Sequence, residues 1–272
     1  MLICQLTDLH VLAEGSLAYG RVAANRMVAR AIDRVLRLDQ RPDVVVVTGD
    51  LTHAGALEEY RSVLGQLQHL PMPVLVVPGN HDRRETLVHG LGPLLLPGQE
   101  GARLHLVADG FPVRIVLLDT LVPGSAHGEL DAASLAWLDA RLAEQPGRPT
   151  LVGMHHPPFL CGIAHLDRIA LRDSRAFAAV IARHPQVERV VCGHHHRPIT
   201  TRFAGTVASV APSVVHQAEL ALAPDAPARF VLEPPAFQLH RWTPETGLVT
   251  HTVQVDDFPG PYPFLAGPDP RA

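Results

Sequence analysis

Seventeen histidines in 272 residues, several of them next to carboxylates, mark where chemistry is expected in this chain. Asp8, His10, Asp50, Asn80, His155, His194 and His196 offer carboxylate, amide and imidazole donors. Such groups hold divalent cations that activate water for hydrolysis, with positions left open for water and substrate. Asp8-x-His10 and His194-x-His196 have the i, i+2 spacing that turns two side chains to one side of an extended segment. Each pair is therefore expected to grip one cation. These donors are too many for one four-coordinate ion, and the Asp50 carboxylate can bridge two, so the economical expectation is a dinuclear site. No cysteine belongs to the set, which argues against a structural zinc.

The elements that must carry these groups follow from the apolar pattern. Leu2 to Leu6, Val44 to Thr48, Val74 to Val77, Val113 to Leu118, Thr150 to Met154 and Val187 to Cys192 read as short buried strands. Most of them end in Asp, Asn or His. Between them, Val22 to Leu38, a stretch from Leu57 to Leu70, Asp131 to Glu144 and Ser174 to His184 carry the spacing of amphipathic helices. Alternating strands and helices predict a layered α/β domain, in which ligands collect beyond the carboxyl ends of the strands. From Thr201 the pattern turns β-rich: Thr206 to Val210, Phe230 to Leu232, Ala236 to Trp242 and Leu248 to Val255 are expected to complete the sheets in antiparallel fashion. The expected organisation is one domain over residues 1–258, its β-rich part about 201–258, followed by a Pro-rich tail over 259–272.

Composition removes whole classes of function. A hydrophobic fraction of 47% without a run near the ~20 residues of a bilayer span predicts a globular protein with no membrane segment. The start MLICQLTDLH lacks the basic and apolar regions of a signal peptide, so the cytoplasm is the expected location. A net charge of -4 offers no broad basic face, which disfavours long nucleic acid. All 23 basic residues are arginine, excluding Schiff-base chemistry and a P-loop lysine. Cys4, Cys161 and Cys192 fit neither a disulfide framework nor a CxxC metal site, and read as reduced, mostly buried thiols.

The ordered blocks Asp8-Leu9-His10, Gly49-Asp50, Gly79-Asn80-His81-Asp82, His155-His156-Pro157 and Gly193-His194-His195-His196 resemble the signature of calcineurin-like metallophosphoesterases. Leu17-Ala18-Tyr19-Gly20 with Asn25, Gly49-Asp50-Leu51-Thr52 with Glu58-Glu59-Tyr60, and Val214-Val215-His216-Gln217 are similar to one branch of that family. This branch contains the class III cyclic-nucleotide phosphodiesterases and the bacterial glycerophosphodiesterases. The resemblance implies a layered αββα sandwich with a β-rich C-terminal extension. It implies a first metal on Asp8, His10, Asp50 and His196 and a second on Asp50, Asn80, His155 and His194. Fe, Mn, Zn and Co all suit such donors. His81 takes the place of the family's substrate-side histidine, expected to contact phosphate or assist the leaving alkoxide. His195 stands where many relatives have an uncharged residue, and Ala23 where this branch often has Asp. The implied reaction is hydrolysis of a small phosphodiester, a cyclic nucleotide such as cAMP or a glycerophosphodiester, by in-line attack of hydroxide formed between the two metals. A phosphomonoesterase is the alternative within enzymes, and a metal-binding scaffold without turnover is a weaker one. The branch also implies a homo-oligomer.

Several residues have plainer readings. Asp82 is expected to be structural, and His156 to orient a neighbour or cap its loop. His216 is balanced between pocket wall and structural histidine. Tyr19 and Asn25 either line the substrate pocket or pack at a helix entry. His53, His69, His89, His105, His127, His165, His184, His240 and His251 are expected on the surface or in the core. Arg83-Arg84, after the Asn80 block, reads as a solvated helix start in preference to a guide for anionic substrate.

Overall fold

Runs of valine and isoleucine buried on both faces make parallel strands, and here they stack into two sheets. The computed structural model describes residues 1–95 and 102–264. In chain order its elements are β1 (Leu2–Leu6), α1 (Ala24–Leu36), β2 (Val44–Thr48), α2 (Leu57–Leu67), β3 (Val74–Val77), α3 (Arg84–Leu91), β4 (Leu106–Ala108), β5 (Arg114–Leu118) and α4 (Ala132–Ala143). There follow β6 (Thr150–Met154), α5 (Ala164–Asp167), α6 (Ser174–Ile181), β7 (Val187–Cys192), β8 (Ile199–Phe203), β9 (Thr206–Val210), β10 (Gln217–Ala218), β11 (Phe230–Val231), β12 (Ala236–Thr243) and β13 (Gly247–Gln254). One sheet has the order β13-β12-β1-β2-β3 and the other β4-β5-β6-β7-β9-β8, while β10 and β11 form a separate pair. Strands β1, β2 and β3 run parallel, as do β5, β6, β7 and β9. The antiparallel hairpin β12–β13 extends the first sheet beside β1 as expected, but β9, also expected to be antiparallel, joins the second sheet parallel to β7, and β11 pairs with β10 outside both sheets.

The period-2 alternation of the strands sorts their side chains into layers. Cys4, Leu6, Val45, Val47 and Val76 face Val28, Ile32, Tyr60, Val63 and Leu67 of α1 and α2. Val116, Leu118, Val152, Met154 and Val190 face Leu138, Leu142, Phe177 and Ile181 of α4 and α6. Ile3, Val46, Leu75, Val77, Leu117, Leu151 and Val191 fill the space between the sheets. The order is helix, sheet, sheet, helix, the αββα sandwich. Each fully buried Val or Leu contributes roughly 1.5 to 3 kcal/mol of transfer free energy, so the inter-sheet layer alone fixes the spacing of the two sheets. Among the described residues no helix is long and apolar enough to cross a membrane.

Of helix α3 only the start at Arg83-Arg84 was read in the pattern, and the short strands β4 and β8 were not legible. Helix α3 is eight residues long with Gly90 inside it, and Gly90 is there because a Cβ would run into the Cβ of Tyr60 on α2. Strand β8 is a solvent-facing edge of Thr and Arg. Of the Pro-rich tail, residues 259–264 are exposed and irregular, and 265–272 lie outside the described residues.

One polar network crosses the apolar inter-sheet layer. Gln5 on β1 donates from Nε2 to Thr48 Oγ1 on β2 and to the Cys192 carbonyl on β7, each at 2.9 Å. Its Oε1 accepts from His240 Nε2 at 3.1 Å, and His240 Nδ1 accepts from Thr250 Oγ1 at 2.8 Å. With His240 neutral, both ring nitrogens in this network have partners. Burial, reinforced by Arg189, pushes the His240 pKa down to about 3. The unfolded chain therefore binds one more proton than the fold between about pH 6.5 and pH 3, and stability is lost as pH falls through that window. Denaturant titrations of His240→Gln against the parent are expected to show a slope shallower by up to about 1.4 kcal/mol per pH unit there. An unchanged slope would remove His240 from the acid sensitivity of the fold.

Candidate metal centre

The strands of both sheets deliver polar groups to one edge of the sandwich. Asp8 and His10 follow β1, Asp50 follows β2, Asn80 follows β3, His155 follows β6, and His194 and His196 follow β7. Asp8, His10, Asp50, His155 and His194 are buried, whereas Asn80 and His196 are half-buried. The parallel strands stop at the same edge, and the inter-sheet core keeps the two rows of ends at contact distance.

The backbone that presents them is not extended. Asp8, His10, Asp50, His194 and His196 have φ of 54°, 44°, 49°, 70° and 47°, in the left-handed region. For residues other than glycine this costs roughly 1 to 2 kcal/mol each, and such outliers gather at functional sites. The expected extended i, i+2 pairs are thus corrected. Asp8 and His10 reach the same side because both flanking residues are left-handed, while Leu9 between them packs in the core. Hydrogen bonds hold the distortion: Asp8 N–H donates to Gly49 O at 3.1 Å, His10 N–H to Asp50 O at 2.9 Å, and His194 N–H to both Asp8 carboxylate oxygens at 3.1 Å. Glycine is required at 193, where a Cβ would stand 2.9 Å from Asp8 Oδ2 and collide with Thr7 Oγ1.

Two groups of donor atoms share Asp50. In the first, the ligand-type atoms of Asp8, His10, Asp50 and His196 lie within 4.8 Å of one another. His196 Nε2 is 3.1 Å from His10 Nε2 and 3.2 Å from Asp8 Oδ1, and His10 Nε2 is 3.6 Å from Asp50 Oδ2. In the second, His155 Nε2 is 3.4 Å from Asp50 Oδ1 and 3.1 Å from Asn80 Oδ1, with the His194 ring centroid 4.9 Å from that of His155. Backbone carbonyls fix the rings. His155 Nδ1 donates to Thr48 O at 2.8 Å, His196 Nδ1 to His216 O at 2.8 Å and His194 Nε2 to Ile169 O at 2.9 Å. A carbonyl only accepts, so each of these nitrogens carries the hydrogen and the opposite nitrogen is the one free to bind a cation.

The electrostatics follow from this crowding. Burial would raise the Asp50 carboxyl, but the imidazoles of His155, His81 and His10 outweigh it and hold it well below the usual carboxylate range. Burial also opposes charge on His155, yet Asp50 and Asp8 lift it to about 9. His196 is raised against its burial by Asp8. Burial and neighbouring imidazoles push His194 far down, and His10 is pushed far down by burial despite Asp50.

Above these groups opens a pocket of about 430 Å³. His81, Asn80, Tyr19 and His216 all stand in its wall. The Tyr19 ring is exposed and lies 5.4 Å from His216 and 5.2 Å from Phe230, so it is not packed into the core. Asn25, by contrast, does not line it. Its amide clamps the Leu12 backbone, accepting from N–H at 2.9 Å and donating to O at 2.8 Å. Arg84 begins α3 but is not solvated as a helix start, because it pairs bidentately with the buried Asp119. Asp82 is structural: its carboxylate accepts from the N–H groups of Leu51, Thr52 and Gly79 and from the hydroxyls of Thr52 and Tyr60. The His156 ring is wedged against His155 and His194, its Nδ1 2.7 Å from Thr120 Oγ1. His53 and His165, expected on the surface or in the core, instead line cavities at the site. The signal for His53 is tertiary: Thr52 pairs with Val11 in a parallel bridge, which folds the segment after Asp50 back over His10.

Known proteins of this shape and sequence carry matching labels. The “Probable glycerophosphodiester phosphodiesterase GpdQ” of Arcobacter nitrofigilis is 38% identical over 97% of this chain and 97% of its own. The 3',5'-cyclic adenosine monophosphate phosphodiesterase CpdA of Escherichia coli K12 is 29% identical, covering 79% of this chain and 76% of its own. The crystal structure of a dimetal phosphatase from Danio rerio superposes with a TM-score of 0.64 at 17% identity, over 94% of this chain and 99% of that one, a likeness of fold. Residues 1–198, which hold every strand end described above, match the family model of the calcineurin-like phosphoesterases, and the chain belongs to that family.

Proposed function

We propose that the chain is a metal-dependent phosphodiesterase acting on small diesters, with glycerophosphodiesters as the favoured class. The observation that carries this reading is the placement of Asp50, whose Oδ2 faces His10 and whose Oδ1 faces His155. Two donor groups meeting on one carboxylate suit a pair of divalent cations, the first held by Asp8, His10, Asp50 and His196, the second by Asp50, Asn80, His155 and His194. The donor chemistry fits: nitrogen and oxygen only, with lone pairs of buried imidazoles turned inward. Bound there, divalent cations supply a nucleophile from water at neutral pH and compensate the charge on phosphoryl oxygens. The glycerophosphodiester class is favoured because the likeness to the Arcobacter protein runs through the β-rich C-terminal part as well, whereas the cyclic-nucleotide relative matches a smaller share.

The chain's own residues do the rest. The His81 backbone N–H donates to Asp50 Oδ1 at 2.9 Å, and its ring Nδ1 donates to the His53 carbonyl at 2.8 Å. With Nδ1 committed, the proton given to a departing alkoxide comes from Nε2 of the imidazolium. Tyr19 and His216 line the outer side of the pocket, where they can pack against the ester's alcohol groups.

Three outcomes test the reading. Chelated protein is expected to be inactive and to regain activity with Mn, Zn, Co or Fe, hydrolysing glycerophosphocholine and bis(nitrophenyl) phosphate in preference to nitrophenyl phosphate; preference for the monoester would make it a phosphatase. His81→Ala is expected to lower kcat on alkyl diesters by about 10² or more, and to hurt nitrophenyl diesters less because that leaving group needs no proton. Equal losses would remove His81 as the acid. Finally, Asp50 keeps a proton on His155 up to about pH 9, and a cation at that position displaces it. Cation affinity is expected to rise roughly tenfold per pH unit between about pH 7 and 9 and then level off. A calorimetric titration with pH-independent affinity would exclude His155 as a ligand.

A further inference from the structure

His53 lines a cavity at this site, and the roles proposed above leave its ring without a task. Its backbone is fully employed, the N–H donating to Val11 O at 3.0 Å and the carbonyl accepting from His81. Its ring is not. Nδ1 is buried without a hydrogen-bond partner, and no described residue bonds Nε2. Unpartnered ring nitrogens also occur at His10, His156, His195 and His216, but none of those rings lines the cavity beside Arg84, whereas His53 does, where a ligand group can meet it.

Position says which part of the ligand. The His53 ring lies 5.1 Å from Tyr19, 5.4 Å from His81 and 5.7 Å from His10, centroid to centroid. Ring nitrogens of His10, His53 and His81 fall within 4.8 Å of one another. Beyond His81 and Asn80, on the side away from Phe230 and His216, a second cavity of about 750 Å³ opens, with His53 and Arg84 in its wall. Asn80 and His81 belong to both cavities. In an in-line displacement the leaving group departs opposite the attacking oxygen, and His81 protonates it, so the space past His81 is where the leaving alcohol lies. At that point two neighbouring imidazoles face two neighbouring oxygens, the ester oxygen and a hydroxyl on the next carbon.

We infer that His53 contacts the substrate directly, hydrogen-bonding a hydroxyl of the leaving alcohol next to the ester oxygen, and so selects diesters of polyols over diesters of simple alcohols. This inference rests on the phosphodiesterase reading and deepens it. The Nε2 of His53 can donate to or accept from a hydroxyl, according to tautomer, whereas a methylene offers it no partner. Sites built to bond a hydroxyl discriminate against the analogue that lacks it because their own polar groups are then stranded.

The test compares ethyl glyceryl phosphate with ethyl propyl phosphate, following release of glycerol and of propanol by the metal-loaded full chain and by His53→Ala and His53→Asn. The parent is expected to prefer the glyceryl ester by about tenfold or more in kcat/KM. His53→Ala is expected to erase most of that preference, mainly through KM, and His53→Asn, which keeps a donor and an acceptor, to restore part of it. Metal content of both variants is expected to equal the parent's. Equal losses on the two esters, an unchanged preference in His53→Ala, or loss of metal from the variants would each overturn the inference while leaving the phosphodiesterase reading in place. A parent that cleaves both esters equally would do the same. A metal-loaded parent that cleaves neither would overturn both.

Discussion

A carboxylate with almost no exposure, surrounded by imidazoles drawn from both sheets, is the interaction on which the rest depends. Asp50 cannot be buried alone, since an isolated ionised carboxylate in a protein interior would take up a proton instead. It stays charged because His155 and His81 stand beside it and the His81 N–H donates to it. That arrangement exists only if β2, β3 and β6 end at the same level. The left-handed backbone at Asp8, His10, Asp50, His194 and His196 is the local cost of turning the side chains inward just past the strands. The inter-sheet valines and leucines supply stability that tolerates it.

The sandwich and its centre are also joined by polar contacts, not only by apolar packing. Gln5 ties β1 to β2 and β7 one residue before Leu6 and two before Thr7, immediately beneath Asp8 and Gly193. Asp82 gathers the loop after β2 and the loop after β3 through five donors, which sets where Asp50, Asn80 and His81 stand relative to one another. Loss of either network would move donors from different sheets apart, so fold stability and site geometry are coupled at these two residues.

Much of this was legible from residue types, because the strands are valine-rich runs and the donors sit at their ends. The layered order and the C-terminal hairpin follow from hydrophobic period and length, whereas the parallel placement of β9 beside β7 does not. What escaped has physical reasons. An i, i+2 pair looks the same in sequence whether the backbone is extended or left-handed, so the geometry of Asp8-x-His10 was misread although both residues do converge. Asn25 lies beside the pocket loop in sequence, but its amide satisfies a backbone that only the fold places there. His53 carries no motif, and its approach to His10 and His81 comes from the Val11–Thr52 bridge, a contact made by backbone and invisible in side-chain pattern. Arg84 reads as solvent-facing until β5 brings Asp119 under it.

The charge around the pocket narrows what can enter it. Arg84 is neutralised by Asp119, and Arg229, at the opposite wall, by Glu219. Beside these pairs the walls are largely aromatic and imidazole rings, Tyr19, Phe230, His216, His53 and His81, with the exposed Arg83 in the wall of the cavity next to His53. Such walls make contacts with carbon and hydroxyl groups and give little to extra phosphates along a polymer, whose binding elsewhere depends on rows of unpaired Arg or Lys. The one strongly polar surface is the floor, where Asp8, Asp50 and the inward-turned imidazoles meet. On the proposed reading an ester would be held at a single phosphorus by the floor and judged by its alcohols at the walls, so that selectivity among small diesters would fall to the wall residues and the floor could serve any of them.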